Sequence, residues 1–288
     1  MEIVAKGVRR ITAPNPGPMT FTGTQTYIVG EGAVAVIDPG PDDPRHLAAI
    51  EAALTPGERI SHVLITHAHI DHTPLAPRLR APVHAFGDAQ AGRSAIMRQL
   101  AESDALGGGE GVDPHFTPDV TLADGDTVAG EGWSLTALHT PGHMANHLSF
   151  VWEEGGVAFT GDHVMGWAST LVSPPDGDLT AFMSSLRRMQ GGAARHRLLP
   201  GHGDVVEEGE ARVAELIAHR ESREAQILAG LDRPATVAAL TAAIYTDVDP
   251  RLHPAAARNV LAHLIDLHQR GIVATDGPLS ATASFRLR

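Results

Sequence analysis

The segment His67-Ala68-His69-Ile70-Asp71-His72 constrains this chain more than any other. It places four side chains able to coordinate a cation directly after an apolar run, Ile60–Thr66, that reads as a buried strand. In extended backbone alternate side chains share a face, so His67, His69 and Asp71 point one way and His72 the other. All four converge only if the chain turns near residues 70–72. Thr73-Pro74, an N-cap followed by proline at the first helical position, predicts a short helix there and hence that turn. A lone His-x-His is usually a surface or packing feature. His-x-His-x-Asp-His after a buried strand is a metal-ligand pattern.

Composition narrows the chemistry. The chain has 288 residues, 17 histidines and no cysteine. Disulfides, thiolate-held zinc, iron–sulfur clusters and a cysteine nucleophile are therefore excluded, and a metal site must use imidazoles and carboxylates. The formal charge is −12, which argues against nucleic-acid binding driven by bulk charge. Aromatic residues make up 4% of the chain, so a base-stacking platform is poorly supplied. The first residues carry charge but no apolar signal core, and no run approaches the roughly 20 apolar residues of a membrane span. The expectation is a soluble, cytoplasmic protein with no membrane partner.

Strands and helices alternate along the chain. Strand-like runs fall at Gln25–Val29, Ala33–Ile37, Pro82–Phe86, Asp119–Leu122, Thr127–Val128, Trp133–His139, His147–Trp152, Val157–Thr160 and Arg197–Leu199. Helical patterns cover Pro44–Leu54, Leu179–Met189 (capped by Asp178 or Asp176) and Glu207–Leu228, whereas 87–117 is poorly patterned. After Gly230 come helices at Thr236–Tyr245 and Pro254–Arg270, then short strands at Ile272–Thr275 and Ala283–Leu287, the outline of a winged helix. This predicts an α/β catalytic domain over 1–229 and a winged-helix-like domain over 230–288.

Further ligand candidates follow three of the strands. Trp133–His139 leads to Thr140-Pro141-Gly142-His143, Val157–Thr160 to Gly161-Asp162-His163, and Arg197–Leu199 to Pro200-Gly201-His202. Each has glycine beside the candidate, which lets the backbone approach closely.

These motifs resemble the metallo-β-lactamase-fold superfamily. The resemblance implies an αββα sandwich in which His67, His69 and His143 bind one metal, Asp71, His72 and His202 a second, and Asp162 bridges the two. The complete set, with a bridging carboxylate and no cysteine, resembles the glyoxalase-II and nuclease branches rather than the true β-lactamases. Asn15-Pro16-Gly17-Pro18, Gly23-Thr24-Gln25-Thr26-Tyr27, Thr160–Gly166, Pro174–Asp178 and His219–Glu224 are similar to the β-lactamase-like-protein-2 group, which carries a C-terminal winged helix and has an animal member associated with RNA cleavage. Arginine outnumbers lysine 21 to 1, a bias that looks bacterial.

The expected cofactors are two divalent ions, zinc by preference, with manganese and iron also suited to His/Asp ligands. Two such ions can share a hydroxide that attacks an ester, thioester or phosphodiester, with Asp71 orienting it. The expected substrate is a small ester or thioester, with single-stranded RNA as the alternative. A non-catalytic winged-helix regulator with a sensing metal site is the other class of reading, disfavoured by so complete a ligand set.

Around the centre, Asp38 is a candidate to orient a ligand histidine, with an Asx turn as the plainer role. His139 is as easily a structural hydrogen-bonder as a supporting residue. Asn146, His147 and His163 are candidates to meet substrate, with packing the plainer role for the two histidines. Arg187, Arg188, Arg195 and Arg197 read as a solvated face, and His219–Glu224 as helix-surface pairs that could dock the C-terminal domain. The winged helix either binds nucleic acid or roofs the site and supports a homodimer. Its scattered arginines, 251, 258, 270, 286 and 288, favour the second role.

Overall fold

The computed structural model describes residues 1–288. Its first sheet runs in chain order through β1 (Glu2–Ala5), β2 (Val8–Thr12), β3 (Gln25–Val29), β4 (Ala33–Ile37), β5 (Arg59–Leu64), β6 (Val83–Ala85) and β7 (Val120–Thr121). Strands β1 to β4 are antiparallel neighbours, and β4 to β7 are parallel. The β3–β4 hairpin turns on Gly30 and Gly32, both at positive φ, where a Cβ would be strained. The second sheet has the order β12-β11-β10-β9-β8, from β8 (Thr127–Gly130), β9 (Trp133–His139), β10 (Leu148–Trp152), β11 (Val157–Gly161) and β12 (Arg197–Pro200); only β11 and β12 are parallel.

Two-residue periodicity builds the layers. On β3, Tyr27 and Val29 face the second sheet and pack with Phe150 and Phe159, while Ile28 faces outward. Outside the first sheet lies α1 (Pro44–Ala52), started by the Asp43 cap and Pro44, whose Ile50 packs on Ile28, Val34 and Val63. Outside the second sheet lie α3 (Leu179–Met189) and α4 (Gly209–Ala229), which bring Phe182, Leu186, Val213 and Leu216 onto Ala158 and Leu198. Each fully buried Phe or Leu contributes roughly 1.5–3 kcal/mol. The αββα sandwich is therefore present as expected. So is the winged helix: α5 (Val237–Ile244), α6 (His253–Gln269) and a three-stranded sheet of β13 (Ala235–Thr236), β14 (Val273–Thr275) and β15 (Ser284–Leu287), around Leu240, Val260, Leu264 and Phe285.

Four elements differ from expectation. The helix predicted to begin at Thr73-Pro74 does not form. The Thr73 hydroxyl is taken by the His69 carbonyl and Asp113, and a single 3₁₀ turn follows at Ala76–Leu79. The turn that gathers the ligand candidates is thus closed by His72 N and Thr73 N, both bonded to the His69 carbonyl, and not by a helix start. The poorly patterned stretch contains α2 (Ala95–Glu102), capped by Ser94; its Met97 and Leu100 complete the core of the winged-helix unit, a partner far away in sequence. Strands β1 and β2 also lie in a segment without alternating hydrophobicity, because β1 is a largely exposed edge.

Candidate metal centre

β5, β9, β11 and β12 end at one edge of the sandwich, and the ligand candidates sit just beyond those ends. His67 Nε2 lies 3.0 Å from His69 Nδ1, which lies 3.1 Å from His143 Nε2. Asp162 Oδ2 is 4.0 Å from the His67 nitrogen and 3.7 Å from that of His143. In a second group, Asp71 Oδ2 is 3.3 Å from His72 Nε2 and 3.2 Å from His202 Nε2. Asp162 faces this group too, with Oδ1 3.6 Å from His72 Nε2 and Oδ2 3.3 Å from His202 Nε2. The donor atoms within each group lie within 4.8 Å of one another. Gly201 permits the approach: a Cβ there would sit 2.3 Å from Asp162 Oδ1.

For four of the five rings the far side explains which nitrogen is offered. His72 Nδ1 donates to Asp38 Oδ2 at 2.9 Å, leaving the Nε2 lone pair facing the site. Asp38 also accepts from Thr66 N and Thr66 Oγ1 at 2.8 and 2.7 Å. With its proton committed to Asp38, the Thr66 hydroxyl accepts from His67 Nδ1 at 2.9 Å, which leaves His67 Nε2 free. His143 Nδ1 donates to the Leu171 carbonyl at 2.7 Å and His202 Nδ1 to that of Gly23 at 3.3 Å. Thr24 Oγ1 donates to Asp71 Oδ2 at 2.9 Å. Asp38, at φ 48°, thus orients two of the rings. Replacing it with Asn removes the charge while keeping the shape, and metal affinity is expected to weaken about 10- to 100-fold. Equilibrium competition with a chromogenic chelator reads this directly, and unchanged affinity would remove Asp38 from the supporting set.

The donor set suits divalent cations. Imidazole lone pairs facing one another at hydrogen-bond distance repel unless a cation lies among them. His72 Nε2 and Asp162 Oδ1 are buried without a hydrogen-bond partner. Burial, reinforced by the neighbouring imidazoles, holds His67 well below the usual histidine range, and burial brings His69 down to about 3. Both shifts favour the neutral form that a metal ligand needs. At the other end burial opposes charge on His202, but Asp162 and Asp71 outweigh it and lift its pKa to about 9. His72 is raised in the same way against its own burial, chiefly by Asp71, Asp38 and Asp162. Clustered carboxylates draw positive charge to this spot.

The remaining candidates sit elsewhere. His139 donates to the Ala145 carbonyl through Nε2 and stacks on Phe86, with ring centroids 3.9 Å apart, which fits a structural hydrogen-bonder. Asn146, a candidate to orient substrate, is instead tied through Nδ2 to the carbonyls of Gly87 and Asp88. His147 and His163 are fully buried. His147 bonds Thr140 through Nδ1 and stacks behind His67, and His163 packs on Phe182, so neither reaches substrate. The four clustered arginines each pair with an acid: Glu221, Asp124, Glu153 and Glu207. Arg220 departs from the helix-surface reading, being buried at 3% exposure between α4 and α6.

A cavity of about 370 Å³ opens on the two groups and is lined by His69, Asp71, His143, Asp162 and His202. Its walls are Met19, Met165, Leu171 and, from the winged-helix unit, Pro254 and Ala255. Glu110 and Arg258 are the charged residues of the rim. The Arg258 guanidinium donates to Ser173 Oγ, the Leu106 carbonyl and the Pro174 carbonyl, so three of its five N–H donors are engaged within the protein.

Two His/Asp clusters at one edge of an αββα sandwich support a binuclear-metal hydrolase. Residues 19–206 match the metallo-beta-lactamase superfamily and residues 236–279 the beta-lactamase associated winged helix domain, and the chain belongs to that superfamily. It is homologous to the beta-lactamase-like protein 2 homolog of Caenorhabditis elegans, 31% identical over 278 residues that cover 95% of this chain and 88% of the relative. It is 33% identical over 236 residues to an atrochrysone carboxyl ACP thioesterase of Aspergillus fumigatus, covering 80% of this chain and 67% of that one. The chain spans about two thirds of the length of such fungal relatives. A metallo-beta-lactamase family protein from Thermus thermophilus superposes with a TM-score of 0.77 at 26% identity, covering 98% of this chain and 99% of that one. No helix is long and apolar enough to cross a membrane.

Proposed function

We propose that the protein is a two-metal hydrolase of carboxylic esters or thioesters whose acyl portion is apolar. The observation that carries this reading is the cavity wall. Met19, Met165, Leu171, Pro254 and Ala255 face the metal centre, and the rim arginine spends three of its five N–H donors on protein oxygens. A phosphodiester chain needs free cations along its path. An apolar acyl group needs a dry, apolar wall, and a cavity of this size is within the range of small-molecule sites. The similarity to a fungal ACP thioesterase agrees.

His67, His69 and His143 would hold one ion, Asp71, His72 and His202 the other, and Asp162 would bridge them, with zinc preferred. When bound, such ions bring the pKa of water toward neutrality and draw charge from the carbonyl oxygen under attack. The chain's residues do the rest. Asp71, anchored through Oδ2 by Thr24, orients the attacking water from the cavity floor. Met165, Leu171 and Pro254 exclude bulk water from the acyl group, which strengthens every polar interaction at the reacting carbon.

The test is a series of acyl thioesters of increasing chain length assayed beside labelled single-stranded RNA. Each methylene buried against the wall is worth about 0.8 kcal/mol, so kcat/KM is expected to rise about fourfold per carbon until the cavity is full. Chelator-sensitive RNA cleavage with no thioester turnover would replace this reading with a nuclease.

A further inference from the structure

The segment Thr170–Val172 lies outside any helix or strand, yet it carries two of the contacts that aim the metal centre. The Leu171 carbonyl accepts from His143 Nδ1 at 2.7 Å. The Thr170 hydroxyl donates to the Asp162 carbonyl at 2.6 Å. No ladder bond fixes this segment, so its position must come from side chains.

Those side chains belong to α4 and α6. Arg220 on α4 donates through Nη2 to the Thr170 carbonyl and through Nη1 to Asn259 Oδ1 at 2.9 Å. The same Asn259 oxygen, on α6, accepts from Val172 N at 3.1 Å. The carbonyl of residue 170 and the amide of residue 172 are therefore held by two side chains that also hold each other. Arg220 is buried, and its partners are a carbonyl, an amide oxygen and the Phe182 ring, 5.1 Å from its guanidinium carbon, rather than a carboxylate. Burying a guanidinium in this way costs stability, so a packing role alone would be better served by an apolar residue of similar volume. What the guanidinium supplies that such a residue cannot is two directed donors.

We infer that Arg220 and Asn259 form a clamp by which the winged-helix unit positions His143 and Asp162, so that metal affinity depends on α6. The clamp touches neither substrate nor the reacting atoms; both are positioning residues. This rests on the two-metal reading above. A Leu171 carbonyl free to rotate no longer fixes the His143 tautomer or ring plane, and lost orienting partners of this kind typically cost 10- to 100-fold in metal affinity.

The probe is Zn²⁺ alone, titrated into the full chain against a chromogenic chelator. Asn259→Leu keeps the volume and removes the acceptor. Asn259→Asp keeps an acceptor oxygen toward both Val172 N and Arg220. One of the two zinc affinities is expected to fall about 10- to 100-fold in Asn259→Leu and to return to within about threefold of the parent in Asn259→Asp. Asn259→Ser, whose shorter side chain leaves room for water, gives the same comparison should Asn259→Leu fail to fold. Unchanged affinities in Asn259→Leu or Asn259→Ser, or an Asn259→Asp chain as weak as Asn259→Leu, would overturn the clamp. A parent chain that binds no zinc would instead overturn the metal reading on which it rests.

Discussion

Asp162→Ala is expected to lower kcat/KM by at least about 10³-fold and to leave the purified protein short of metal. Asp162 is the carboxylate that faces both donor groups: Oδ2 is 3.7 Å from His143 Nε2 and 3.3 Å from His202 Nε2, and Oδ1 is 3.6 Å from His72 Nε2. Removing it deprives each group of a negative donor at once. It also leaves the imidazoles of His72 and His202 without one of the charges that outweigh their burial. Elemental analysis beside the rate separates the two consequences. A variant with two equivalents of metal and activity within tenfold of the parent would remove Asp162 from the bridging position. The loss should exceed that of Asp38→Asn, because Asp38 acts through His72 and through Thr66 on His67 rather than facing the cations itself.

Stripping the metal is expected to abolish hydrolysis and to lower the melting temperature by about 10 °C. Ions bound by the folded chain alone stabilise it by about 4 kcal/mol at a free concentration 1,000 times the dissociation constant, and each kcal/mol shifts a domain of this size by about 2–4 °C. The physical origin lies in the groups left behind. His67, His69 and His143 crowd their lone pairs within 3.0–3.1 Å, and Asp71 and Asp162 line one cavity. Calorimetry before and after chelation, with zinc or manganese returned to the same sample, checks both effects. Full activity in a metal-free chain would end the hydrolase reading in its present form.

The ligand candidates were legible because their chemistry is written in residue type. His-x-His-x-Asp-His, Asp162 and His202 each begin within three residues of a strand's end, and a strand end is visible as an apolar run that stops. Asp38 was legible for the same reason. Its two partners through Thr66 were not, since a threonine at the end of an apolar run looks like any other β-branched residue. Asn146 shows the opposite. Its polarity suggested contact with substrate, but it is buried and tied to backbone carbonyls, whereas His147 and His163 take the packing role that was the plainer expectation for them. Whether a polar side chain points into a cavity or behind it is decided by the packing of distant strands.

By itself the sequence determined the layers, the winged helix and the candidate metal donors, because periodicity, capping and residue type are local properties. Strand alternation separates Tyr27 and Val29 from Ile28 whatever the rest of the chain does. Tertiary structure alone decided how the site is held and walled. Pro254 and Ala255 line the same cavity as His69 and Asp71, far earlier in the chain, and α2 joins a core built mostly after residue 227. Arg220 and Asn259 grip the backbone carrying the Leu171 carbonyl. A carbonyl has no identity in sequence: every residue has one, and only the fold determines which of them meets an imidazole.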